Sequence, residues 1–186
     1  SVIKDCKERM NSLDMRLENA TKFYFYEASI IVMEAMIRFS NRYAKLARDM
    51  AKNEKNATRK AELMSLAETC EHVPEHPARN MREAMQAHWF AHLAAELEQV
   101  GCGYSEAYLG QNMEPYYQAD KAAGLIDYDD AVFMFQNLSI KLNELNYYYG
   151  AKVSLQNSAD TGQTITIAGY TEGGQDATAE MDYAIV

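Results

Sequence analysis

The sequence lacks the features that mark several classes of protein. Its 186 residues contain only three cysteines, Cys6, Cys70 and Cys102, which fit no Cys-x-x-Cys spacing, so we expect neither a disulfide framework nor a thiolate zinc site. Such sparse cysteine usage is typical of a reducing cytoplasm. No apolar run approaches the roughly 20 residues that a membrane-spanning helix needs. The start, Ser1 to Asp5, has neither an initiator Met nor the apolar core of a signal peptide, and we expect a cut inside a longer chain.

Basic residues are too few and too scattered to bind nucleic acid. Lys and Arg number 18 against 27 Asp and Glu, which gives a net charge of −9. Because a nucleic-acid interface needs a concentrated basic surface, no such partner is expected. Apolar residues make up 48% of the chain and charged residues 24%, an ordinary balance for a folded globular domain.

Apolar residues recur at helical spacing over residues 1–148. The period predicts helices at about 22–52 and 58–70, a break at 73–77, and a helix that Asn80 and Glu83 begin. A short helix is predicted after Pro115, ending at Gly124, and another that Asp127 caps. The residues expected to be buried in these helices are Leu63, Leu66, Ala67, Met85, Trp89, Leu93, Leu97, Phe135, Leu138, Leu142 and Leu145.

After Gly150 the pattern changes to alternation of polar and apolar residues. This predicts short strands at 152–156 and 164–167 around a polar turn at 157–162. Two strands at one end of a chain make a poor sheet, so we expect partner strands from sequence beyond this chain. The resulting prediction is a single, mainly α piece over residues 1–186, helical over 1–148 and strand-containing over 150–186.

Candidate chemistry in the sequence is sparse. His88, His92 and Glu96 share one face of a predicted helix, as metal ligands would, but Trp89 replaces the Glu of a metalloprotease helix. Polar residues beside the apolar stripe are the favoured interpretation, and no metal site is predicted. The tyrosines at 147–149 are interpreted as core or interface residues and Cys102 as a structural thiol, because its nearest ionisable neighbours are acidic.

Several segments, taken in order, resemble the glycyl radical enzyme family of pyruvate formate-lyase and glycerol dehydratase. They are residues 25–28 (FYEA), 42–47 (RYAKLA), 59–63 (RKAEL), 67–74 (AETCEHVP), 77–86 (PARNMREAMQ), 89–90 (WF), 115–120 (PYYQAD) with Gly124, 140–144 (IKLNE), 167–169 (IAG) and 173–178 (GGQDAT). The blocks extend over nearly the whole chain.

The resemblance implies a fold and a radical chemistry. The family's fold is a ten-stranded α/β barrel built from two half-barrels and surrounded by helices, of which this chain would supply half-barrel helices and the first strands. A glycyl radical, installed by a radical S-adenosylmethionine activase, generates a thiyl radical that abstracts hydrogen from a small-molecule substrate. By alignment order the catalytic cysteine and the radical glycine lie downstream, so the fragment alone is expected to be inactive and to bind no cofactor. The family also suggests a cytoplasmic homodimer and anaerobic metabolism.

One part of the family's substrate pocket maps onto this chain. In the loop at 105–111, Ser105 would hydrogen-bond a substrate hydroxyl or carboxylate, and Glu106 would lie beside it. Gln111 stands where the family usually has arginine, and Ala179 where it usually has asparagine. Loss of the cation at 111 removes an expected ion pair.

Three functions stay open from the sequence. A radical lyase of the dehydratase or eliminase type leads, because the 42–47 block is most similar to the diol, choline and hydroxyproline eliminases. An arylacetate decarboxylase is the enzymatic alternative, since Ser105 suits a carboxylate equally well. A non-catalytic helical binding or scaffold protein is the third, and it would be a soluble monomer with covered strand edges.

Overall fold

The computed structural model describes residues 1–14, 16–98, 106–145 and 164–186. Within these ranges the chain is mainly helical, as predicted, and contains no β-strand. The helices are α1 (Val2–Ser12), α2 (Ala20–Asn53), α3 (Ala57–His72), α4 (Met81–Glu98), α5 (Leu109–Ala122), α6 (Tyr128–Asn143) and α7 (Glu180–Ile185), with a 3-10 turn at Leu17–Asn19. None of these helices has the length and apolar character that crossing a membrane requires.

The chain divides into two units, Ser1–Pro77 (the N-terminal unit) and Ala78–Val186 (the C-terminal unit). In the N-terminal unit α2 packs against α1 and α3. Small residues of α2 (Ala44, Ala47 and Ala51) are almost completely buried, as is Ala67 of α3. Alanines at this helical spacing form a narrow stripe along α2, which lets a neighbouring helix approach closely.

In the C-terminal unit, α4, α5, α6 and α7 surround a core of larger side chains. The most deeply buried are Met81, Leu109, Met113, Tyr117, Ala131, Phe135 and Met181. The buried Asp120 carboxylate of α5 accepts a hydrogen bond from the Met81 backbone N–H at 2.8 Å and so satisfies a free donor at the start of α4. On α7, Glu180 accepts hydrogen bonds from Tyr117 (2.9 Å) and Lys121 (2.8 Å) of α5.

The predicted helix starts are confirmed by their capping contacts. The Glu83 N–H donates to the Asn80 side chain at 2.9 Å, while the Glu83 carboxylate accepts from the Arg79 N–H. Asp127 and Asp130 form a reciprocal capping box at the start of α6. These contacts connect residues three or four positions apart, which is why the sequence alone locates them.

Two predicted core residues are exposed. Leu97, at the end of the predicted stripe of α4, is 69% exposed, and Leu66 of α3 is 43% exposed. A strict four-residue interval advances about 40° per step on a helix of 3.6 residues per turn, so three steps carry Leu97 well away from the face that Met85 occupies. On α6 the prediction is confirmed, since Phe135, Leu138 and Leu142 are buried.

Two further predictions differ from the structure: the start of α5 and the strand at 164–167. The helix begins at Leu109, so Pro115 lies inside it instead of preceding it. Proline removes one helical hydrogen bond, but burial of Leu109, Met113 and Tyr117 on one face offsets that loss. The strand predicted at 164–167 is wrong, because these residues form only an isolated bridge in which Ile165 pairs with Glu106. One bridged pair is too short to make a strand. The partner predicted at 152–156 lies outside the described residues.

Candidate functional site

Helix α4 carries three ionisable side chains on one face, and two of them contact Glu106, which precedes α5. His88, His92 and Glu96 follow one another at intervals of four residues and therefore share a face. We call these three residues and Glu106 the imidazole–carboxylate cluster. The prediction that the α4 members are polar flank residues is wrong, because the side chains of His92 and Glu96 are only 1% and 2% exposed.

The cluster is an alternating row of imidazoles and carboxylates. His88 Nε2 lies 2.7 Å from Glu106 Oε2, and His92 Nδ1 contacts Glu106 Oε1. On its other side, His92 Nε2 lies 3.9 Å from Glu96 Oε1. The two contacts to Glu106 have ion-pair distances, although their directions depart from ideal hydrogen-bond angles.

The environment of Glu106 favours its ionised form. Burial by itself raises the pKa of this carboxyl, but the contacts and positive charges of His88 and His92 together outweigh burial and lower its pKa from 4.5 to about 2. Glu106 is therefore a carboxylate at neutral pH. A buried carboxylate without such partners would instead tend to take up a proton.

The backbone of Glu106 joins two segments that are far apart in sequence. Its N–H donates to the Thr164 carbonyl at 2.8 Å, and its carbonyl accepts from the Thr166 N–H at 2.7 Å. Further along, the Gln111 side-chain amide donates to the Ala168 carbonyl at 2.9 Å. We call the paired segments 106–111 and 164–169 the loop junction. Position 111, where the family resemblance led us to expect an arginine, carries a neutral amide. Its hydrogen bond to the backbone stands in place of an ion pair.

The loop junction contains backbone strain on both of its segments. Tyr108 and Ala168 have φ angles of 53° and 57°, a left-handed backbone conformation that residues other than glycine rarely adopt. Gly169, with φ of 130°, lies so close to Tyr108 that an added Cβ would be 3.0 Å from the tyrosine ring. Strained residues of this kind cluster at functional sites, where the surrounding contacts hold them in place.

Asp182 holds the second segment and was not singled out by the sequence. Its side chain, on α7, accepts from the Ala168 N–H at 3.0 Å and from the Ala179 N–H at 2.7 Å. Gly110 of α5 passes so close that an added Cβ would lie 2.2 Å from Asp182 Oδ1. The sequence placed Gly110 in a loop, where a glycine is ordinary, so the close approach of Asp182 became visible only once the structure showed Gly110 inside α5.

The remaining sequence candidates give a mixed outcome. Ser105, Cys102 and the tyrosines at 147–149 lie outside the described residues. Cys6 and Cys70 are buried free thiols, and burial raises the pKa of Cys70 to about 11, so it is a protonated, unreactive thiol at neutral pH. Within the described ranges no three His, Cys, Asp or Glu side chains are arranged to hold a metal ion. Of the two predicted substrate-binding residues, the structure therefore locates Glu106.

The arrangement favours fixed geometry over acid–base exchange at Glu106. Both carboxylate oxygens contact imidazoles, and both backbone polar groups pair with the segment at 164–166. His88, whose side chain is 22% exposed, is the most accessible member of the cluster. The cluster can therefore hold the start of the 106–111 segment, and with it one side of the loop junction, in a fixed position.

A family model described as pyruvate formate lyase-like matches residues 1–186. Among curated proteins, the chain is 36% identical over 185 residues to the isethionate sulfite-lyase of Oleidesulfovibrio alaskensis, covering 97% of this chain and 22% of that protein. It is 31% identical over 169 residues to the indoleacetate decarboxylase of Tractidigestivibacter scatoligenes, covering 90% and 19%. The chain thus spans about a quarter or less of the length of these relatives.

Solved structures agree with this assignment. The glycerol-bound B12-independent glycerol dehydratase of Clostridium butyricum is 32% identical and superimposes with a TM-score of 0.91, over 99% of this chain and 23% of that one. The helical arrangement is therefore that of a segment within a much longer polypeptide.

Proposed function

This chain belongs to the pyruvate formate-lyase-like family, and from that premise we propose that its parent protein is a glycyl radical lyase of the dehydratase or eliminase type. The observation that carries the proposal is the correspondence of 99% of this chain to part of a glycerol dehydratase, in sequence and in structure. The substrate is a small polar molecule with a leaving group, since the related proteins named above include a glycerol dehydratase and an isethionate sulfite-lyase.

The radical chemistry belongs to the rest of the parent protein. We propose that the segment lies in a ten-stranded barrel as a single piece, and that the catalytic cysteine and the radical glycine follow it in the sequence. A radical S-adenosylmethionine activase would install the glycyl radical, which supplies the hydrogen-atom abstraction. The parent protein would be a cytoplasmic homodimer in an anaerobic setting, and its buried, water-poor barrel would protect the radical. This fragment alone would be inactive.

The chain's own contribution is the wall of the substrate pocket formed by the loop junction. Ser105 would donate a hydrogen bond to a substrate hydroxyl or carboxylate, and Glu106 follows it directly in the sequence. Support for this location comes from the strained Tyr108 and Ala168, and from the buried charges beneath them. A wall held this firmly keeps the bound substrate in one orientation, which is what selective abstraction of one hydrogen atom requires.

An arylacetate decarboxylase is the second candidate. The similarity to an indoleacetate decarboxylase, over 90% of this chain, favours keeping it, and Ser105 is suited to a carboxylate. Both candidates use the same radical machinery. They differ in the bond that breaks, so their products separate them.

The full-length coding sequence, expressed with its activase under strict exclusion of oxygen, tests the proposal. Electron paramagnetic resonance would measure the radical, and product analysis would follow glycerol, 1,2-propanediol, trans-4-hydroxy-L-proline, isethionate and indoleacetate. We expect an oxygen-sensitive protein radical and elimination of water or sulfite from one of the first four. Carbon dioxide from indoleacetate alone would select the decarboxylase. A stable, monomeric protein without any radical would instead favour the scaffold alternative.

A further inference from the structure

The α4 histidines contact Glu106, which supplies both a backbone pairing and a buried side chain to the loop junction. Glu106 presents its carboxylate to His88 and His92 and its backbone groups to Thr164 and Thr166. All four contacts are made to protein. A side chain engaged in this way fixes the backbone at its own position, and so it governs where the neighbouring residues lie.

The two imidazoles come from a single rigid element. His88 and His92 stand one helical turn apart on α4, and they approach the two oxygens of the same carboxylate from that one helix. His92 is fully enclosed, its ring stacks on Trp89 with 16° between the ring planes, and its far nitrogen faces Glu96. These contacts fix the position of the Glu106 carboxylate relative to α4.

The strained backbone of the loop junction needs contacts that hold it in place on both of its segments. Tyr108, two residues after Glu106, and Ala168, two residues after Thr166, are both left-handed. Asp182 and Gln111 hold Ala168 through its backbone N–H and carbonyl. On the other segment, the paired Glu106 is the corresponding fixed point before Tyr108. Strained conformations persist only where surrounding contacts impose them.

We propose that His88 and His92 are positioning residues that act through the Glu106 carboxylate to set the place of the 106–111 segment in the substrate pocket. The inference deepens the proposed lyase function and rests on it. It also assigns Glu106 a role different from direct substrate contact.

The test uses the activated full-length protein with whichever substrate it turns over. His88→Leu and His92→Leu remove the donors, while His88→Gln and His92→Asn place an amide N–H near the position of the lost Nε2 and Nδ1 atoms. The leucine variants should raise KM by about tenfold or more with radical content unchanged, because small displacements of a positioning group cost that much. The amide variants should recover most of the loss. His76→Leu, at an exposed histidine of the N-terminal unit, is the matched control and should leave KM unchanged.

A double-variant comparison separates positioning through Glu106 from independent effects. Glu106→Gln should itself raise KM severalfold, and adding His88→Gln or His88→Leu to it should raise KM little further, because the histidine then has no carboxylate to position. Multiplying effects in the double variant would overturn the proposal. Wild-type KM in both leucine variants would overturn it equally.

Hydrogen exchange supplies a readout that does not depend on turnover. Amides within 106–111 and 164–169 should exchange faster in the leucine variants than in His76→Leu, and near the wild-type rate in the amide variants. Unchanged exchange there would contradict the positioning role even in folded, active protein. If the wild-type protein instead forms no radical and turns over nothing, the lyase proposal fails, while the exchange data still decide whether the histidines order the loop junction.

Discussion

The two units of the chain are both helical, yet they bury different chemistry. The N-terminal unit encloses alanines and a few larger apolar residues, and the polar side chains buried within its described residues are Ser40 and Thr69. The C-terminal unit buries Glu83, His92, Glu96, Glu106, Asp120 and Asp182. All the positive-φ residues found in the described ranges also belong to the C-terminal unit.

This difference indicates where the chain carries function. Burying a charged group costs free energy unless it is paired, and left-handed residues cost more, so a packing scaffold has no reason to accumulate either. The N-terminal unit instead exposes large apolar side chains along α2, among them Tyr24, Phe25 and Ile31. Its ion pairs, such as Arg48 with Glu71, lie at the surface. The N-terminal unit is built for packing and the C-terminal unit for holding polar groups in place.

The largest expected effect comes from filling the space beside Asp182. Gly110→Ala places a Cβ 2.2 Å from Asp182 Oδ1, so α5 or the Asp182 side chain must move and the bonds to Ala168 and Ala179 must weaken. We expect the C-terminal unit to lose about 3 kcal/mol or more. Gly173→Ala is the control and should change stability little, because the added Cβ would meet only Thr171 Oγ1, at an ordinary contact distance of 3.8 Å. Denaturant unfolding, followed by hydrogen exchange on peptides of each unit, measures the stability of both variants. If Gly110→Ala were as stable as Gly173→Ala, the close packing of Gly110 against Asp182 would be contradicted.

Acid should destabilise the C-terminal unit through Glu106. Its folded-state pKa, about 2, lies below the ordinary 4.5, so the contribution to stability is present above pH 4.5 and is lost as the pH falls toward 2. The loss should be on the order of 2–3 kcal/mol over that range. Glu106→Gln, which cannot titrate, should show a smaller decline in unfolding free energy between pH 5 and 3. Parallel declines for the two proteins would show that Glu106 is not the titrating group.

Truncating one buried polar side chain in each unit compares the units directly. Asp120→Ala leaves the buried Met81 N–H without its acceptor, and we expect a loss of about 2 kcal/mol. Ser40→Ala removes a hydroxyl that donates to the Ile37 carbonyl within the same helix, and the expected loss is below about 1 kcal/mol. Hydrogen exchange of the α4 and α2 peptides checks the pair. Similar losses would weaken the contrast between the units.

The smallest effect is expected at the surface of the N-terminal unit. Arg48 Nε and Nη2 donate to the two Glu71 oxygens at 2.6 and 2.5 Å, and both side chains are partly exposed. Arg48→Gln should lower the unfolding temperature only slightly, and less in high salt, because water and ions screen such pairs. Thermal unfolding at low and high salt measures it. A large loss of stability at both salt concentrations would mean that this surface pair matters as much to the N-terminal unit as the buried carboxylates do to the C-terminal unit.

Local patterns in the sequence were enough for α2, α3, α4 and α6, but they began α5 too late and did not indicate α1 or α7. Asn80, Glu83, Asp127 and Asp130 identify two helix starts, since capping connects residues a few positions apart. The period also located the buried face of α6, but it failed at Leu97 because a strict four-residue interval drifts around a helix. The resemblance added the family, and it pointed to the segment that contains Glu106.

The site itself depended on contacts that no local pattern contains. His88, His92 and Glu96 are visible in the sequence as one helical face, but whether that face meets solvent or a carboxylate is decided by Glu106, and Glu106 is placed by its pairing with Thr164 and Thr166, almost 60 residues later. The sequence by itself therefore determined four of the longer helices, the caps that begin α4 and α6, and the family. Only the tertiary structure decided that His88, His92 and Glu96 of α4 form one row with Glu106, because the position of Glu106 depends on pairing with residues far along the chain.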